Sequence, residues 1–201
     1  MSQFLKLTSN ILFLGCFICG CSNQPQRVPT NIPAIDLAPL TIGILLSEEI
    51  NASHLLKVDD GLIISDRSNC MPKDCAFSIW DILEQDSLAL TVSNSTLQLA
   101  ISLKSFQTPE AANSNAEKTM RENGGQPGIQ MLEIPVETLP EQNWAYAEDG
   151  RIVYVITVYG NIQIDISLSQ YTGGINDSEK AVALLANLAK MQIDKLALSN
   201  K

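Results

Sequence analysis

Five cysteines, one histidine and 22 carboxylates are the side chains of this chain that could do chemistry, and their spacing limits what that chemistry is. The cysteines fall into two groups. Cys16, Cys19 and Cys21 close an apolar run, while Cys70 and Cys75 frame the stretch Met-Pro-Lys-Asp. The second pair lacks the Cys-x-x-Cys spacing of redox dithiols. With His54 the sole histidine, two cysteines fall short of a zinc signature even if Asp66 or Asp74 is recruited. A serine–histidine pair would have to use Ser53 and His54, and neither Gly-x-Ser-x-Gly nor Ser-x-x-Lys occurs. The acidic groups Asp59, Asp60, Asp66 and Asp81, Glu84, Asp86 do not have the spacing of an EF-hand loop. Paired carboxylates can serve glycoside hydrolysis. Such sites usually carry aromatic platforms, and aromatics make up only 5% of this chain. Gly124, Gly125 and Gly128 follow no strand and precede no lysine, so they read as a helix stop and not a phosphate cradle. The expectation is a chain with no catalytic residue, no metal site and no cofactor, whose acids form a solvated surface.

The elements that would position these groups can be read from periodicity. Residues 40–46 are apolar without a deciding period, and Ser47-Glu48-Glu49 suggests a short helix through residue 56. Residues 57–87 read as irregular, with one or two short strands. Two strands are expected around Ser93-Asn94-Ser95. In the second, Leu97, Leu99, Ile101 and Leu103 alternate with polar or small residues, the period of a sheet with one buried face. Thr108 and Pro109 open a helix that ends at Asn123-Gly124-Gly125, with a thin stripe of Ala112, Ala116 and Met120. Asp149-Gly150 and Gly160-Asn161 predict two tight hairpins joining strands at about 143–148, 151–159 and 161–169. The middle strand is apolar on both faces, and the last reads as half exposed. Residues 177–197 form a helix with the stripe Ala181, Leu184, Leu185, Leu188, Met191 and the Lys195 stem, which reads as core. The class is α+β: an antiparallel sheet with a C-terminal meander, flanked by two main helices.

The start of the chain sets its address. Residues 11–18 are an apolar run too short to span a bilayer, which takes about 20 residues. This is the profile of a secretory signal. It closes with Ile18-Cys19-Gly20-Cys21, which resembles the lipobox of bacterial lipoproteins. That resemblance implies a signal peptide over 1–20, cleavage before Cys21, and acyl chains such as palmitate on Cys21. Cys16 is the alternative anchor, but Phe17 and Ile18 would then come directly after it. The residues after Cys21 are polar and proline-bearing, as a tether over 21–34 should be. Two or three acyl chains anchor stably where one would not. In an exported chain Cys70 and Cys75 are expected to form a disulfide, with free thiols or metal binding as the alternatives. Removing residues 1–20 takes away Lys6 and no acid, so the net charge of −9 becomes about −10. That balance argues against nucleic acid and against electrostatic adhesion to anionic lipid.

Residues 35–199 suffice for a single extracytoplasmic domain. Its second half, with strand 96–106, helix 109–123, meander 143–169 and helix 177–197, resembles the PsbP-like α/β/α sandwich of exported lipoproteins. The resemblance implies a binding or sensory module and supplies no catalytic residue. The expected location is the bacterial cell envelope, facing the periplasm, the thylakoid lumen or the cell exterior. The expected function is a lipid-anchored interaction module with a protein partner. The alternative is a carrier of a small hydrophobic ligand between sheet and helix, with room for it beside the small residues Ala111, Ala112 and Ala116.

Overall fold

The computed structural model describes residues 40–65, 75–85, 97–135, 139, 142–171 and 173–200. Cys21, Cys70, Asp66, Asp74, Asp86 and the first strand expected before Ser93 lie outside these residues.

A 3-10 turn, Leu40–Ile42, leads to α1 (Ser47–Ala52), then β1 (Lys57–Val58), β2 (Leu62–Ser65), β3 (Ala76–Glu84) and β4 (Leu97–Ser105). There follow α2 (Pro109–Gly124), β5 (Ile129–Leu132), β6 (Asn143–Glu148), β7 (Ile152–Tyr159), β8 (Ile162–Gln170) and α3 (Ser178–Ser199). The eight strands form one sheet in the order β1-β3-β4-β8-β7-β6-β5, with β2 also paired to β3. Every pairing is antiparallel. The α+β class expected from periodicity is therefore the observed one.

Alternation in the strands dictates two unequal cores. Leu97, Leu99, Ile101 and Leu103 of β4 face the same way as Ile162, Ile164, Ile166 and Leu168 of β8, and all are buried. Against them pack α3, the 3-10 turn and α1, making the main core with Trp80, Val153 and Val155. The opposite face carries α2 over a smaller cluster of Ala112, Ala116, Met120, Tyr146, Ile156 and Val158. β7 contributes to both, which is why its sequence is apolar throughout. Thr108 caps α2 by accepting the Ala111 amide at 3.2 Å, with Pro109 opening the helix. Both hairpins form as expected. Asp149 and Gly150 have φ of 50° and 63°, and Gly160 has φ of 59°.

Four expectations need correction. The stretch read as irregular contains β3, a nine-residue strand. Its two faces, Ala76-Ser78-Trp80-Ile82 and Phe77-Ile79-Asp81-Leu83, both mix apolar and polar groups, so alternation carried no contrast. Helix α1 stops at Ala52 and not at 56, because His54 takes a positive φ of 59°. Its start is held by Glu49, whose carboxylate accepts the Leu46 amide at 2.7 Å, while the Ser47 hydroxyl turns to Asp60. Gln163, read as exposed on the last strand, is fully buried because Asn115 of α2 donates to it at 2.8 Å.

Candidate functional site

The groups singled out for chemistry are scattered. Cys75 is 1% exposed, just ahead of β3. The Ser53 hydroxyl donates to the Ile50 carbonyl at 2.6 Å and accepts the Leu55 amide, so it is committed to closing α1. His54 is exposed beside an open depression of about 340 Å³, lined also by Asn51, Leu55, Lys57 and Glu84. Lys57 and Glu84 pair across its rim at 3.7 Å, both largely solvated. Asp59 and Asp81 serve local structure. Asp59 accepts the Asp81 amide at 2.9 Å, and Asp81 in turn accepts from the Gln98 side chain at 2.9 Å. Among the described residues, no three of His, Cys, Asp and Glu gather where they could hold a metal ion.

A different place draws side chains together. The face of the sheet that α2 covers over β7 and the start of β8 carries, among the described residues, no helix over β2, β3 and β4. Registered neighbours run straight across it. One row is Leu62, Ile79, Ala100, Ser167, Tyr154 and Tyr146. The next is Ile64, Phe77, Ser102, Asp165, Ile156 and Trp144. Residues directly opposite in a sheet share a face with their Cβ atoms close together. Large groups therefore stand on both sides of a floor of small ones. Ala100 and Ser102 of β4 and Ser167 of β8 form a furrow between a bank of Phe77, Ile79, Leu62 and Ile64 and a bank led by Tyr154.

Polar groups close both ends. At one end Asp165 accepts from Lys104 and, at 2.7 Å, from Gln163, itself held by Asn115. At the other, the Tyr171 hydroxyl donates to Gln98 at 2.8 Å, and Gln98 donates to Asp81. The Tyr154 bank is stiff. Its ring stacks on Tyr146 with centroids 4.6 Å apart and planes 20° from parallel. The Tyr146 hydroxyl accepts from Asn123 at 3.0 Å. Burial, reinforced by the neighbouring Tyr154, pushes Tyr146 up to about 12, and burial with nearby Glu148 raises Tyr154 as well. Both rings stay neutral hydrogen-bonding groups through the physiological range.

Chemically this is a surface of mixed character. It offers apolar and aromatic contact beside small hydroxyls, with fixed polar groups at its ends. The alternation of Ala100, Ser102, Ser167 and Ser169 is plain in the sequence, where it reads as solvent-facing. Which strands flank them depends on sheet order, for which local pattern carries no signal.

No protein-family model matches the chain, and no curated protein matches it.

Proposed function

We propose that this protein is a lipid-anchored, extracytoplasmic interaction module without catalytic activity. Cys21 carries the anchor, Cys70 and Cys75 are joined as a disulfide, and the domain over 35–199 presents its furrow to a protein partner at the cell envelope. The observation that carries the partner-binding reading is the half-open sheet face. Phe77, Ile79 and Tyr154 remain partly exposed around a floor of small residues, although the opposite face of the same strands is sealed. Placement of α2 and α3 on opposite faces of an antiparallel sheet supports the PsbP-like reading of the second half. Fold likeness alone selects no partner.

The second reading is the ligand carrier, and the furrow moves its location. Ala112 and Ala116 are fully buried in contact with the sheet, so they draw α2 close and open no space beneath it. Ala111 is exposed. A small hydrophobic ligand would instead lie along Ala100, Ser102 and Ser167.

One pair of measurements separates the readings. A photoreactive phenylalanine analogue replacing Ile79 in the full chain, expressed in a bacterial envelope, should cross-link to a discrete protein. The same analogue at Glu117, on the outer surface of α2, should not. Equal labelling from both positions counts against the module. A native mass spectrum with extra mass that vanishes on denaturation transfers the furrow to the carrier reading.

A further inference from the structure

Exposed large apolar side chains occur mostly singly among the described residues: Leu83, Met131, Tyr171 and Leu198. The exception is at the β2 edge. Ile42 is 59% exposed, Leu62 61% and Ile63 37%. The 3-10 turn that carries Ile42 packs beside β2. Leu62 and Ile63 alternate across the strand, so the edge is apolar on both faces of the sheet. Neither the turn (Leu-Thr-Ile) nor the strand (Leu-Ile-Ile-Ser) contains a charge, and among the described residues the outer side of β2 has no strand paired to it. Such edges are normally blunted with charge or proline.

Leu40 is where the described domain begins, immediately beside this edge. Only residues 22–39 separate it from Cys21. On the anchor reading, Ile42 of this edge thus lies in the part of the domain closest along the chain to the acyl groups, and Leu62 and Ile63 join it through the packing of the turn beside β2. A short connection holds two surfaces at an effective concentration of ~mM, so even weak apolar contact is populated. The net charge of −9 disfavours an anionic surface. Apolar contact, with the exposed Asp60 two positions before Leu62, suits a zwitterionic one.

We propose that Ile42, Leu62 and Ile63 form a membrane-contact edge, which rests in the interface of the bilayer that holds the Cys21 anchor. The inference rests on that anchor reading. The sheet then stands on its β2 side with β5, six strand positions away and about 29 Å distant at ~4.8 Å per strand, directed outward. The furrow faces along the membrane, within reach of a neighbouring envelope protein.

Tryptophan quenching tests this in the full chain, expressed in a bacterium and reconstituted into phosphatidylcholine vesicles brominated on the acyl chains. Leu62→Trp and Ile42→Trp place the probe at the edge. Met131→Trp places it on β5 at an exposed position, and the unsubstituted chain supplies the background from Trp80 and Trp144. Contact at the depth of the headgroup–acyl boundary predicts quenching at least ~3-fold greater at positions 62 and 42 than at 131. The mass of the N-terminal peptide reports acylation in the same samples. An acylated chain with no such difference overturns the edge and leaves the anchor standing. A chain that carries no acyl group and does not float with the vesicles overturns both. A cross-link from a photoreactive residue at 62 to a protein, with quenching absent, also overturns the bilayer assignment and gives the edge to that protein.

Discussion

Gln192 is the side chain on which the join between the N-terminal segment and the rest of the domain depends most. It is fully buried on α3, donates to the Gly43 carbonyl at 2.6 Å and accepts the Leu45 amide at 3.0 Å. Those backbone groups belong to no helix or strand, so Gln192 supplies the partners that regular structure would otherwise provide. Gln192→Leu keeps the bulk but orphans two buried groups, at roughly 1–3 kcal/mol each, and should cost about 2–6 kcal/mol in urea unfolding. Ser78 is the contrast. It is equally buried, yet among the described residues its hydroxyl has no hydrogen-bond partner. Ser78→Ala should be neutral or stabilising by up to about 1 kcal/mol. Equal losses from the two substitutions would sink the hydrogen-bond account. Tyr146 adds a pH dependence. Its hydroxyl ionises near 12 in the folded domain against an ordinary 10, so the unfolded chain releases that proton first. Stability from this source is complete below pH 10 and is lost as pH rises towards 12. A thermal melt should fall over that window, in step with tyrosinate absorbance, and the fall should shrink in Tyr146→Phe.

Among the elements, β3 links the edge of the sheet to its centre, pairing with β1 and β2 on one side and β4 on the other. Its Trp80, 2% exposed, lies over Gly61, where the connection from β1 turns into β2. A Cβ at Gly61 would overlap the indole ring. Gly61→Ala must therefore displace a buried side chain, and about 1–3 kcal/mol of destabilisation is expected from overpacking. Near-ultraviolet circular dichroism should show the Trp80 signal altered; an unchanged spectrum with unchanged stability would refute the contact. The two long helices differ in how they are held. α3 is buried along two sides, because the sheet lies against one and residues 43–49 reach the other through Gln192 and Lys195. This adds Val182, Ala186, Ala189, Ile193 and Leu196 to the stripe that periodicity suggested. α2 rests on one small cluster and exposes the rest of its surface.

For the whole molecule, the charge excess and the proposed anchor point the same way. An acidic chain has no electrostatic reason to stay at an anionic surface, and on the anchor reading acyl chains supply the attachment. Cys21→Ala should move the protein from the membrane fraction to the soluble one. If Cys16→Ala does so and Cys21→Ala does not, the anchor is at Cys16. The sheet also gives the molecule a polarity. One face is sealed by α3 and the N-terminal segment, and the other is half covered by α2. Binding is proposed on the side where the layering is incomplete.

The alternation in β4 and β8, the Thr108-Pro109 helix start, the Asp149-Gly150 turn and the stripe of α3 were legible because each is set by contacts within a few residues. They sufficed for the α+β class. β3 was hidden because both of its faces mix apolar and polar groups, so burial there is decided by neighbours distant in the chain. Gln163 reads as a surface residue and Gln192 falls outside the stripe of α3, since no local pattern announces a partner 48 or about 150 positions away. The furrow was likewise beyond reach. Its floor and banks come from separate strands, and only the order β3-β4-β8-β7 sets small residues between large ones. Local propensity chose the elements of this protein, whereas long-range pairing chose which faces they bury and which they leave open.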